Sequence, residues 1–559
     1  MRIYIIGNYS TIFLKKELES KLIKNNIKSQ IINSNYDSID FNILDENSEL
    51  YNFNPEILIW HESTLRIRES FWNYTSDEKV NFALSYEKRI SNYLLRISSK
   101  LPNCRIIFAN HSLLFNDNVF GNYALKVENS WQFQVIKINY LLNNLALNSN
   151  NLFLIDTSLP TYRSSFNVTD YALYITADLN FTIEYLELIA TSIVSVISSL
   201  IGKSKKCVIL DLDNTIWGGV VGDDGLDGIE IGNLGIGKAF SKFQTWLKEL
   251  SKRGIILTVC SKNTDFVAKE PFFNHPEMIL KLDDIALFVA NWENKADNIR
   301  FIQRQLNISF DSMVFIDDNP AEREIVRCNL PEILVPEMPS DPCDYLPYLI
   351  NMNIFETTTY SSNDQLRTKQ YIDEIKRQED LINHTNMDEF LDSLSMKIII
   401  QSFNEKNFER ISQLTLRSNQ FNLTTKRYNV SDISLMSISP KYLTYSVNLS
   451  DKFGDNGLIS VIILQIFENI VEIDTWLMSC RVLNRGVEKF VMNHIVSDLI
   501  SKGYSELIGN FILTEKNSIV KNLLIELGMT LTDSNKNLYN LQLKTFNKFK
   551  TQIDYDNNN

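Results

Sequence analysis

The stretch Cys207–Thr215 reads Cys-Val-Ile-Leu-Asp-Leu-Asp-Asn-Thr, an apolar run that ends in two carboxylates one residue apart. Such a run predicts a buried parallel strand whose C-terminal end delivers acids to a crevice. Because side chains alternate along a strand, we expect Asp211 and Asp213 on one side and Leu212 on the other. Two carboxylates this close repel each other unless a cation lies between them, so the stretch predicts a Mg²⁺ site. Taken alone, it also fits acids that merely cap a strand.

Length, charge and cysteine content indicate an ordinary globular protein of several domains. A chain of 559 residues is too long for one core, and roughly three or four domains are expected. The net charge of -13, from 55 basic and 68 acidic residues, disfavours a nucleic-acid partner. The six cysteines form no CxxC pair, which argues against zinc ribbons and a disulfide framework. A reducing cytoplasm fits best.

The apolar segments predict a protein without a signal peptide or a membrane span. Residues 1–7, Met-Arg-Ile-Tyr-Ile-Ile-Gly, start a strand at once and are too short for a signal peptide. No apolar run approaches the roughly 18 to 20 residues that span a bilayer. The most apolar segment, 186–201, is interrupted by Glu, Ser and Thr and predicts a packed helix. We therefore expect a cytoplasmic protein with no membrane partner.

Residues 1–202 alternate strand-like and helix-like stretches, which predicts a doubly wound α/β domain. The turns Gly7-Asn-Tyr-Ser10 and Ala109-Asn-His-Ser112 resemble the Ser and Asn blocks of the SGNH hydrolases. Near the end of this region, where such an enzyme carries its base, the sequence has no Asp-x-x-His. A serine without a positioned base is a weak nucleophile. We expect an SGNH-like domain without hydrolase activity.

Residues 203–345 place more polar side chains at predicted strand and helix ends. Ser261 follows the apolar run 255–260, and Lys295 opens a helix. Asp317 and Asp318 follow the run 313–316. The carboxyl ends of parallel strands share one edge of a sheet, so these groups are expected to converge. The glycine-rich stretch 216–225 predicts a tight β-hairpin flap over the acids.

Phosphoryl transfer is the chemistry that these groups share. Asp211 can attack phosphorus and carry a covalent phosphoryl group. Asp213 can protonate the leaving oxygen and later activate water. Ser261 can bind a phosphoryl oxygen, and Lys295 can neutralise charge that develops in transfer. The carboxylates expected to hold Mg²⁺ are Asp211, Asp213, Asp317 and Asp318.

Asp-x-Asp, Ser, Lys and Asp-Asp in this order form the motif set of the haloacid dehalogenase (HAD) superfamily, which implies a Rossmann-like parallel sheet. The match extends further, to four runs of sequence that closely resemble the FkbH-like proteins. These runs are Val-Ile-Leu-Asp-Leu-Asp-Asn-Thr-Ile-Trp-Gly-Gly-Val-Val-Gly-Asp-Asp-Gly (208–225), Val-Cys-Ser-Lys-Asn (259–263), Asn-Trp-Glu-Asn-Lys (291–295) and Phe-Ile-Asp-Asp-Asn-Pro-Ala-Glu-Arg (315–323).

The resemblance implies a specific reaction. In that family the HAD domain is expected to work with D-1,3-bisphosphoglycerate and an acyl carrier protein. The phosphoglyceryl group is captured as a thioester and its 3-phosphate is removed. The product, glyceryl-S-carrier protein, is a precursor for polyketide and related pathways. Two alternatives stay open: a free-standing phosphatase of a small metabolite, for example in polysaccharide assembly, and a non-catalytic scaffold that binds carrier proteins.

A thioester route draws attention to two cysteines. Cys260 is next to Ser261 at the predicted crevice, and the neighbouring Lys262 would favour its thiolate. Cys260 fits equally well as a small buried strand residue. Cys480, at another predicted strand end, is the second candidate for the acylated residue.

Residues 346–395 predict a helical connector whose charged helix is a solvated strut without chemistry. Residues 396–550 predict an α+β domain in which a strand precedes Arg481-x-x-x-x-Gly486 at a helix start. This pattern resembles the pyrophosphate loop of the GCN5-related N-acetyltransferases (GNAT), where backbone N–H groups cradle the pantetheine pyrophosphate. The family usually has Gly where this chain has Asn484, a residue that tolerates positive φ.

The GNAT resemblance implies a site for a carrier protein's phosphopantetheine arm or for coenzyme A. Its expected ligands are Arg481, Asn484, Arg485 and Gly486. Docking of an acidic carrier is expected to involve Arg417, Lys426, Arg427, Arg481 and Arg485. The alternative is a scaffold whose arginines make ordinary ion pairs. Residues 551–559 are polar and predict a disordered tail. The sequence leaves the oligomeric state open.

Overall fold

The computed structural model describes residues 1–112, 119–157, 167–360, 362–381, 384, 386–533 and 537–556. The chain forms two compact units, Met1–Ser199 and Leu200–Asn559. The first holds one sheet and the second holds two. The sequence predicts three folded domains; the three sheets match their three locations, but the second and third sheets belong to one compact unit.

A five-stranded parallel sheet forms the centre of the first unit, in the order β2-β1-β3-β4-β5. The strands β1 and β3 are mostly apolar and buried nearly throughout. Burial of this kind is expected where helices cover both faces of a doubly wound sheet. The strands are β1 (Arg2–Ile6), β2 (Gln30–Asn33), β3 (Ile57–Trp60), β4 (Arg105–Ala109) and β5 (Leu152–Ile155). The α-helices are Ile12–Lys24, Ile39–Leu44, Glu49–Phe53, Thr64–Trp72, Ser76–Val80, Phe82–Lys100, Trp131–Leu147, Tyr171–Ala177 and Ile183–Leu200.

The helix Ile183–Leu200 is longer and more apolar than expected from the interruptions in its sequence. Within the described part of the chain it is the one helix that could cross a membrane by length and composition. Half of it is buried inside the protein, and Ile189, Ala190 and Ile197 are fully enclosed. A core helix of this kind meets the same criteria of length and composition, and its buried face agrees with the predicted packed helix.

The second unit begins with a four-stranded parallel sheet in the order β8-β7-β6-β9. Val208 and Leu210 pack into one apolar cluster, and Cys207 and Ile209 pack into another. Alternation along the strand therefore covers both faces of the sheet. The strands are β6 (Cys207–Leu210), β7 (Ile256–Ser261), β8 (Ile285–Ala290) and β9 (Met313–Ile316). The α-helices are Val221–Gly228, Gly237–Lys252, Asp265–Asn274, Lys295–Leu306, Pro320–Asn329 and Tyr345–Asn351.

The predicted β-hairpin flap at 216–225 is wrong. Only single bridges form there, between Asp213 and Trp217 and between Gly218 and Glu230. The chain then continues as the helix Val221–Gly228. Asp224 accepts a hydrogen bond from the Val220 N–H at 2.7 Å, a local bond that satisfies a donor at the start of the helix. The segment next to Asp211 is thus a turn followed by a helix.

The predicted connector contains the helices Arg367–Leu381 and Met387–Ser393. The first is not a solvated strut, because Tyr371 and Arg377 on it are buried. Arg377 forms a bidentate pair with Asp451, at 2.7 and 2.8 Å. Its charged side chains find their partners in distant parts of the sequence, which a local charge pattern does not show.

An eight-stranded sheet follows in the order β15-β16-β14-β13-β12-β11-β10-β17. Pairing is antiparallel except between β13 and β14 and between β10 and β17. The strands are β10 (Met396–Gln401), β11 (Tyr442–Asp451), β12 (Gly454–Phe467), β13 (Ile470–Met478), β14 (Glu506–Asn510), β15 (Thr530–Asp533), β16 (Leu538–Gln542) and β17 (Ile553–Tyr555). The α-helices here are Phe408–Arg417, Val430–Ile438, Val487–Ser501 and Leu523–Glu526.

Residues 551–559 were predicted to be disordered, but the described part of this tail includes the strand β17. Ile553 pairs with Met396 on the edge of the sheet and is buried. The ring of Tyr555 packs against Phe490 in a tilted arrangement with centroids 4.8 Å apart, and its hydroxyl lies 2.9 Å from His494 Nδ1. An open sheet edge can recruit a short strand of modest hydrophobicity.

Candidate active site

The carboxyl edge of the four-stranded sheet gathers the predicted phosphate-handling groups. Asp211 directly follows β6, Ser261 is the last residue of β7, and Asp317 directly follows β9. Lys295 is the first residue of the helix Lys295–Leu306, after β8. β6 lies between β7 and β9, so parallel pairing alone brings these strand ends together.

Lys295 joins two of the carboxylates. Its Nζ lies 3.0 Å from Asp211 Oδ2 and 2.6 Å from Asp317 Oδ2, and its side chain is only 3% exposed. Burial lowers the pKa of Lys295, but the charges of Asp211 and Asp317 outweigh it and raise the pKa above its ordinary value. Burial and the charge of Asp211 raise the pKa of Asp317 to about 6, although Lys295 opposes this. The site therefore concentrates negative charge around one fixed cation.

Three carboxylates can hold a further cation. One oxygen each from Asp211, Asp317 and Asp318 lies within 4.8 Å of the others. Asp211 Oδ1 is buried and has no hydrogen-bond partner, so it is free to act as a ligand. Hard carboxylate oxygens are the donors that Mg²⁺ prefers. The residues therefore fit Mg²⁺.

Asp213 was predicted as a fourth carboxylate ligand of this cation, but it is not among the three carboxylates that the structure brings together. Its Oδ1 accepts hydrogen bonds from Trp217 Nε1 at 2.9 Å and the Val221 N–H at 3.0 Å. Its Oδ2 accepts one from Asn263 Nδ2 at 3.2 Å. Both oxygens of Asp213 are thus engaged by donors of the protein itself. Burial raises the pKa of Asp213 despite these donors, which suits a group that must hold a proton for part of a reaction.

Asp318 is oriented by a residue that the sequence reading left without a role. Thr215 Oγ1 donates to Asp318 Oδ1 at 3.2 Å and accepts from the Asp318 N–H at 3.1 Å. Arg323 is buried and donates to the carbonyl oxygens of Asp317 and Asp318, at 2.9 and 2.6 Å. Thr215 and Arg323 therefore hold the two consecutive acids in place. Both lie within the recognised motifs, but only their long-range contacts reveal what they do.

Asn263 is the other site residue that sequence reasoning missed. It is 6% exposed, follows Ser261 by two residues and contacts Asp213 across 50 residues of sequence. An asparagine after a strand usually indicates a turn, so no local signal in the sequence predicts that Asn263 binds Asp213. Its proximity to Ser261 in sequence was the one available hint.

Cys260 lies beside the reaction site, with its Sγ 3.8 Å from the Lys295 carbonyl oxygen, and its surroundings favour the interpretation as a small buried strand residue. Its side chain is fully buried in the apolar cluster on one face of the sheet. Burial raises the pKa of its thiol to about 12, although Lys295 opposes this. Because Cys260 and Ser261 are consecutive on β7, their side chains take opposite directions. The thiolate needed for acyl transfer is disfavoured here.

Cys480 is remote from the phosphate-handling groups. Its carbonyl oxygen accepts a hydrogen bond from Asn307 Nδ2 at 3.2 Å, and Asn307 ends the helix that Lys295 begins. A helix of 12 residues is about 18 Å long. Cys480 therefore lies at the opposite end of that helix from Lys295 and cannot act at the same reaction centre.

The predicted pyrophosphate loop has the expected backbone but not the expected free arginines. Asn484 and Gly486 take positive φ, at 62° and 74°, and Gly486 caps the helix Val487–Ser501. Arg485 is buried and binds Asp451 at 3.2 Å and Glu374. Arg481 is buried and donates to Gln370. Both arginines tie the helix Arg367–Leu381 to this sheet, which favours the alternative of ordinary ion pairs over the predicted role as phosphate ligands.

Two further cations of the predicted dock, Lys426 and Arg427, are also engaged within the protein. Lys426 forms an ion pair with Asp474, and Arg427 donates to Asn419 and to the Thr415 carbonyl. The side chain of Arg417 lies outside the described residues. The alternative of ordinary ion pairs is the one that fits Lys426 and Arg427.

The segment around Leu423 lies between β13 and β14 where these two strands stop pairing with each other. These parallel strands pair only as far as Ile473 and Gly509. Beyond that point Leu423 donates its N–H to the Trp476 carbonyl at 3.1 Å and accepts from the Ile512 N–H at 2.9 Å. Backbone groups that an extended ligand could pair with are therefore satisfied by the chain itself.

Comparison with known proteins identifies the family. The model of the FkbH N-terminal domain matches residues 2–198. The crystal structure of the N-terminal part of BF1531 from Bacteroides fragilis, which contains a phosphatase domain complexed with Mg, is 43% identical. The match covers 64% of this chain and 94% of that chain, with a TM-score of 0.61. No curated protein sequence matches this chain.

Two acetyltransferase structures show only weak similarity. The ribosomal-protein-S18-alanine N-acetyltransferase from Escherichia coli is 12% identical and matches over 26% of this chain and 94% of its own, with a TM-score of 0.21. The PaiA N-acetyltransferase from Thermoplasma acidophilum, in complex with coenzyme A, is 15% identical over 26% of this chain and 99% of its own, also with a TM-score of 0.21. These values are too low to support a functional argument. The N-terminal match and the BF1531 structure, together with the Asp211–Lys295–Asp317 cluster, show that the chain belongs to the FkbH-like family and carries a phosphatase domain of the HAD type.

Proposed function

We propose that this protein removes the 3-phosphate from a phosphoglyceryl group carried as a thioester on an acyl carrier protein. The donor of that group is 1,3-bisphosphoglycerate, and the product is glyceryl-carrier protein. The reaction takes place in the cytoplasm. The observation that carries the proposal is the buried cluster in which Lys295 lies 3.0 Å from Asp211 and 2.6 Å from Asp317, with Asp318 beside it.

The first chemical step loads the carrier. Its thiolate attacks the acyl carbon of bisphosphoglycerate and expels the 1-phosphate, which leaves phosphoglyceryl thioester on the carrier. The burial of Cys260 and the distance of Cys480 from the phosphate site both disfavour an acyl relay through either thiol. Direct transfer to the carrier thiol is therefore the route that this proposal adopts.

The second step removes phosphate at the HAD site. An oxygen of Asp211 attacks phosphorus while the P–O bond to the glyceryl oxygen breaks, and Asp213 gives that oxygen a proton. Water then attacks the phosphoaspartate, Asp213 takes its proton, and inorganic phosphate leaves. Lys295 stabilises charge on the phosphoryl oxygens throughout. Mg²⁺, held by Asp211, Asp317 and Asp318, would supply further neutralisation of that charge.

Intact-mass measurement of the carrier tests the proposal. The purified protein is incubated with bisphosphoglycerate, Mg²⁺ and each of a panel of holo-carrier proteins. The proposal expects a carrier that gains a glyceryl unit without phosphate. An unmodified carrier throughout the panel would contradict it.

A phosphatase that needs no carrier is the second candidate. It is favoured by the internal pairing of Arg481 and Arg485 and by the segment around Leu423 that lies between β13 and β14, which leave no prepared pantetheine site among these residues. Release of phosphate from soluble phosphate esters at rates that a carrier does not change would support this candidate. Carrier-dependent release would exclude it.

A further inference from the structure

A cavity of about 510 Å³ lies in the first compact unit, apart from the phosphatase site. Two of its lining residues are Asn8, which follows β1, and Glu62, which follows β3. The sheet order β2-β1-β3-β4-β5 reverses direction between these two strands. In open parallel sheets this reversal creates a crevice at the carboxyl ends of the strands, where ligands bind. The cavity also has the volume of a small-molecule site, roughly 300 to 1,000 Å³.

Polar side chains that line the cavity are held in place by hydrogen bonds and an ion pair. Glu62 has a side chain only 1% exposed and is held by Trp60 Nε1 and the Tyr86 hydroxyl, each at 2.8 Å. Arg89 reaches Glu62 at 3.5 Å and Asp40 at 3.8 Å. Asn8 is fixed by the Ser63 backbone N–H at 2.6 Å. Such fixed donors and acceptors determine how a ligand is oriented.

The charges around the cavity indicate the class of ligand. Four lining carboxylates, Asp37, Asp40, Glu62 and Glu69, outnumber the two guanidinium groups of Arg66 and Arg89. An excess of carboxylates repels phosphate and other anions. The guanidinium groups, with the hydroxyls of Ser70 and Ser85, add donors to a wall rich in acceptors. A neutral ligand whose groups both donate and accept satisfies this mixture.

Aromatic rings complete the lining. Tyr74 is 42% exposed and lies edge-on to Phe82, with ring centroids 5.4 Å apart. Tyr74, Phe82 and Tyr86 all line the cavity. Their faces offer apolar contact to the C–H groups of a compact ligand while the polar side chains meet its hydroxyls.

The described structure gives this site no hydrolase machinery. His61 and His111 are buried and bonded to Tyr9 and Tyr86, at 2.6 and 2.9 Å. Neither histidine is among the residues that line the cavity. Ser70 and Ser85, the lining serines, therefore have no positioned histidine base, and the site is suited to binding.

We propose that this cavity binds a neutral, hydroxyl-rich small molecule of the size of a monosaccharide. The juxtaposition that carries the proposal is Asn8 and buried Glu62 at the reversal of the sheet, with Arg89 and Tyr74 lining the same cavity. The site is independent of the proposed phosphatase reaction.

Saturation-transfer NMR on the full-length protein tests the site. The probes are glycerol, D-ribose, D-glucose, D-galactose and myo-inositol, with inorganic phosphate and ethanolamine as charged comparators. Ser85→Trp places a bulky ring in the cavity, and Ser99→Trp on the same helix, Phe82–Lys100, is the matched control. Ser99 is exposed and does not line the cavity. Asp211→Asn separates this test from the phosphatase site.

The proposal expects at least one neutral probe to give saturation transfer that falls tenfold or more in Ser85→Trp and persists in Ser99→Trp and Asp211→Asn. Saturation transfer with none of the five neutral probes would overturn it. So would binding confined to phosphate or ethanolamine, and so would neutral-probe binding that Ser85→Trp leaves unchanged. Loss of binding in Asp211→Asn would place the ligand at the phosphatase site and would also overturn the proposal.

Discussion

At the scale of single residues, the chemistry of the site depends on how Asp213 is held. Asn263 fixes Oδ2 while Trp217 and the Val221 N–H fix Oδ1. An acid that must deliver a proton to a leaving oxygen works only from a defined position. Asn263 is therefore a positioning residue, which acts through Asp213.

Replacing Asn263 should impair the proton-transfer role specifically. In Asn263→Ala we expect kcat/KM for an alkyl phosphate, which reports phosphoryl transfer to Asp211, to fall about 10- to 100-fold, the usual range for general acid catalysis being 10² to 10⁴. The kcat/KM for p-nitrophenyl phosphate should fall far less, because p-nitrophenolate leaves without a proton. Steady-state kinetics on both substrates measure this difference. Equal losses on the two substrates would mean that Asn263 has only a structural role.

Cys260 should be dispensable for chemistry. Because its thiol is buried with a raised pKa, Cys260→Ala should keep carrier loading and phosphate release within about twofold. Its cost should appear in stability, at about 1 kcal/mol or somewhat more for the atoms removed from a packed core. Carrier mass spectra and thermal unfolding measure the two effects. A variant that folds normally yet no longer loads the carrier would restore Cys260 as the acylated residue.

Two buried histidines should make the first unit sensitive to acid. Burial lowers the pKa of His61 and of His111 to about 3, against about 6.5 in an unfolded chain. Between these values only the unfolded state takes up the protons, so stability falls as pH drops below 6.5. The expected loss between pH 6.5 and 5 is about 1.5 kcal/mol for each histidine.

Urea unfolding of the full chain at pH 7, 6 and 5 checks the pH effect, followed with probes in the first unit. His61→Gln should reduce the pH dependence by about half, since it removes one of the two groups. A first unit that is equally stable at pH 7 and pH 5 would show that the histidines are protonated in the folded protein.

The residue scale also shows what the sequence could and could not predict. Asp211, Lys295, Asp317 and Asp318 were expected to converge, and they do, because each follows an apolar strand or opens a helix and parallel strands end at one edge. For Asp213, alternation predicts a side of the strand but not the hydrogen-bond partners that engage both of its carboxylate oxygens. Its three donors come from the segment 217–221 and from Asn263.

At the scale of elements, the helix Arg367–Leu381 changes character most between sequence and structure. Its charges suggest a solvated surface, yet Arg377 is 2% exposed and shares Asp451 with Arg485. Glu374 is the second carboxylate of this network. Partners more than 70 residues away in sequence are invisible to a helical charge pattern. The helix thereby ties the four-stranded and eight-stranded sheets into one unit.

Breaking this network should destabilise the second unit. Arg377→Ala leaves Asp451 buried with fewer cationic partners, and removing one member of a buried pair typically costs about 3 to 5 kcal/mol. Lys376→Ala, at the exposed neighbouring position, should change stability by less than about 0.5 kcal/mol. Chemical denaturation of both variants measures the difference. Similar, small effects in the two variants would show that the network contributes little.

Other elements were predicted well or poorly according to whether local sequence or distant contacts determine them. The buried parallel strands β1, β6, β7 and β9 follow from apolar runs and were predicted within one or two residues. The strand β17 was missed because its stability comes from the free edge of β10. The predicted hairpin at 216–225 was replaced by a helix, since glycines permit a turn without specifying which structure follows it.

At the scale of the whole molecule, the phosphatase site belongs to a compact unit in which the neighbouring sheet contributes no prepared phosphate ligand among its buried arginines. The sequence predicted the three sheets but separated the second from the third, because the helix that unites them looks like a linker. The proposed reaction also requires a carrier protein, which is a separate molecule.

The measurement that tests the central claim most directly compares the carrier formed by the natural protein with that formed by Asp211→Asn. Both are incubated with bisphosphoglycerate, Mg²⁺ and the holo-carrier, and the intact mass of the carrier is measured. We predict glyceryl-carrier with the natural protein and phosphoglyceryl-carrier, heavier by one phosphate, with Asp211→Asn. Identical dephosphorylated carrier in both samples would contradict the assignment of Asp211 and its cluster as the centre that removes the phosphate.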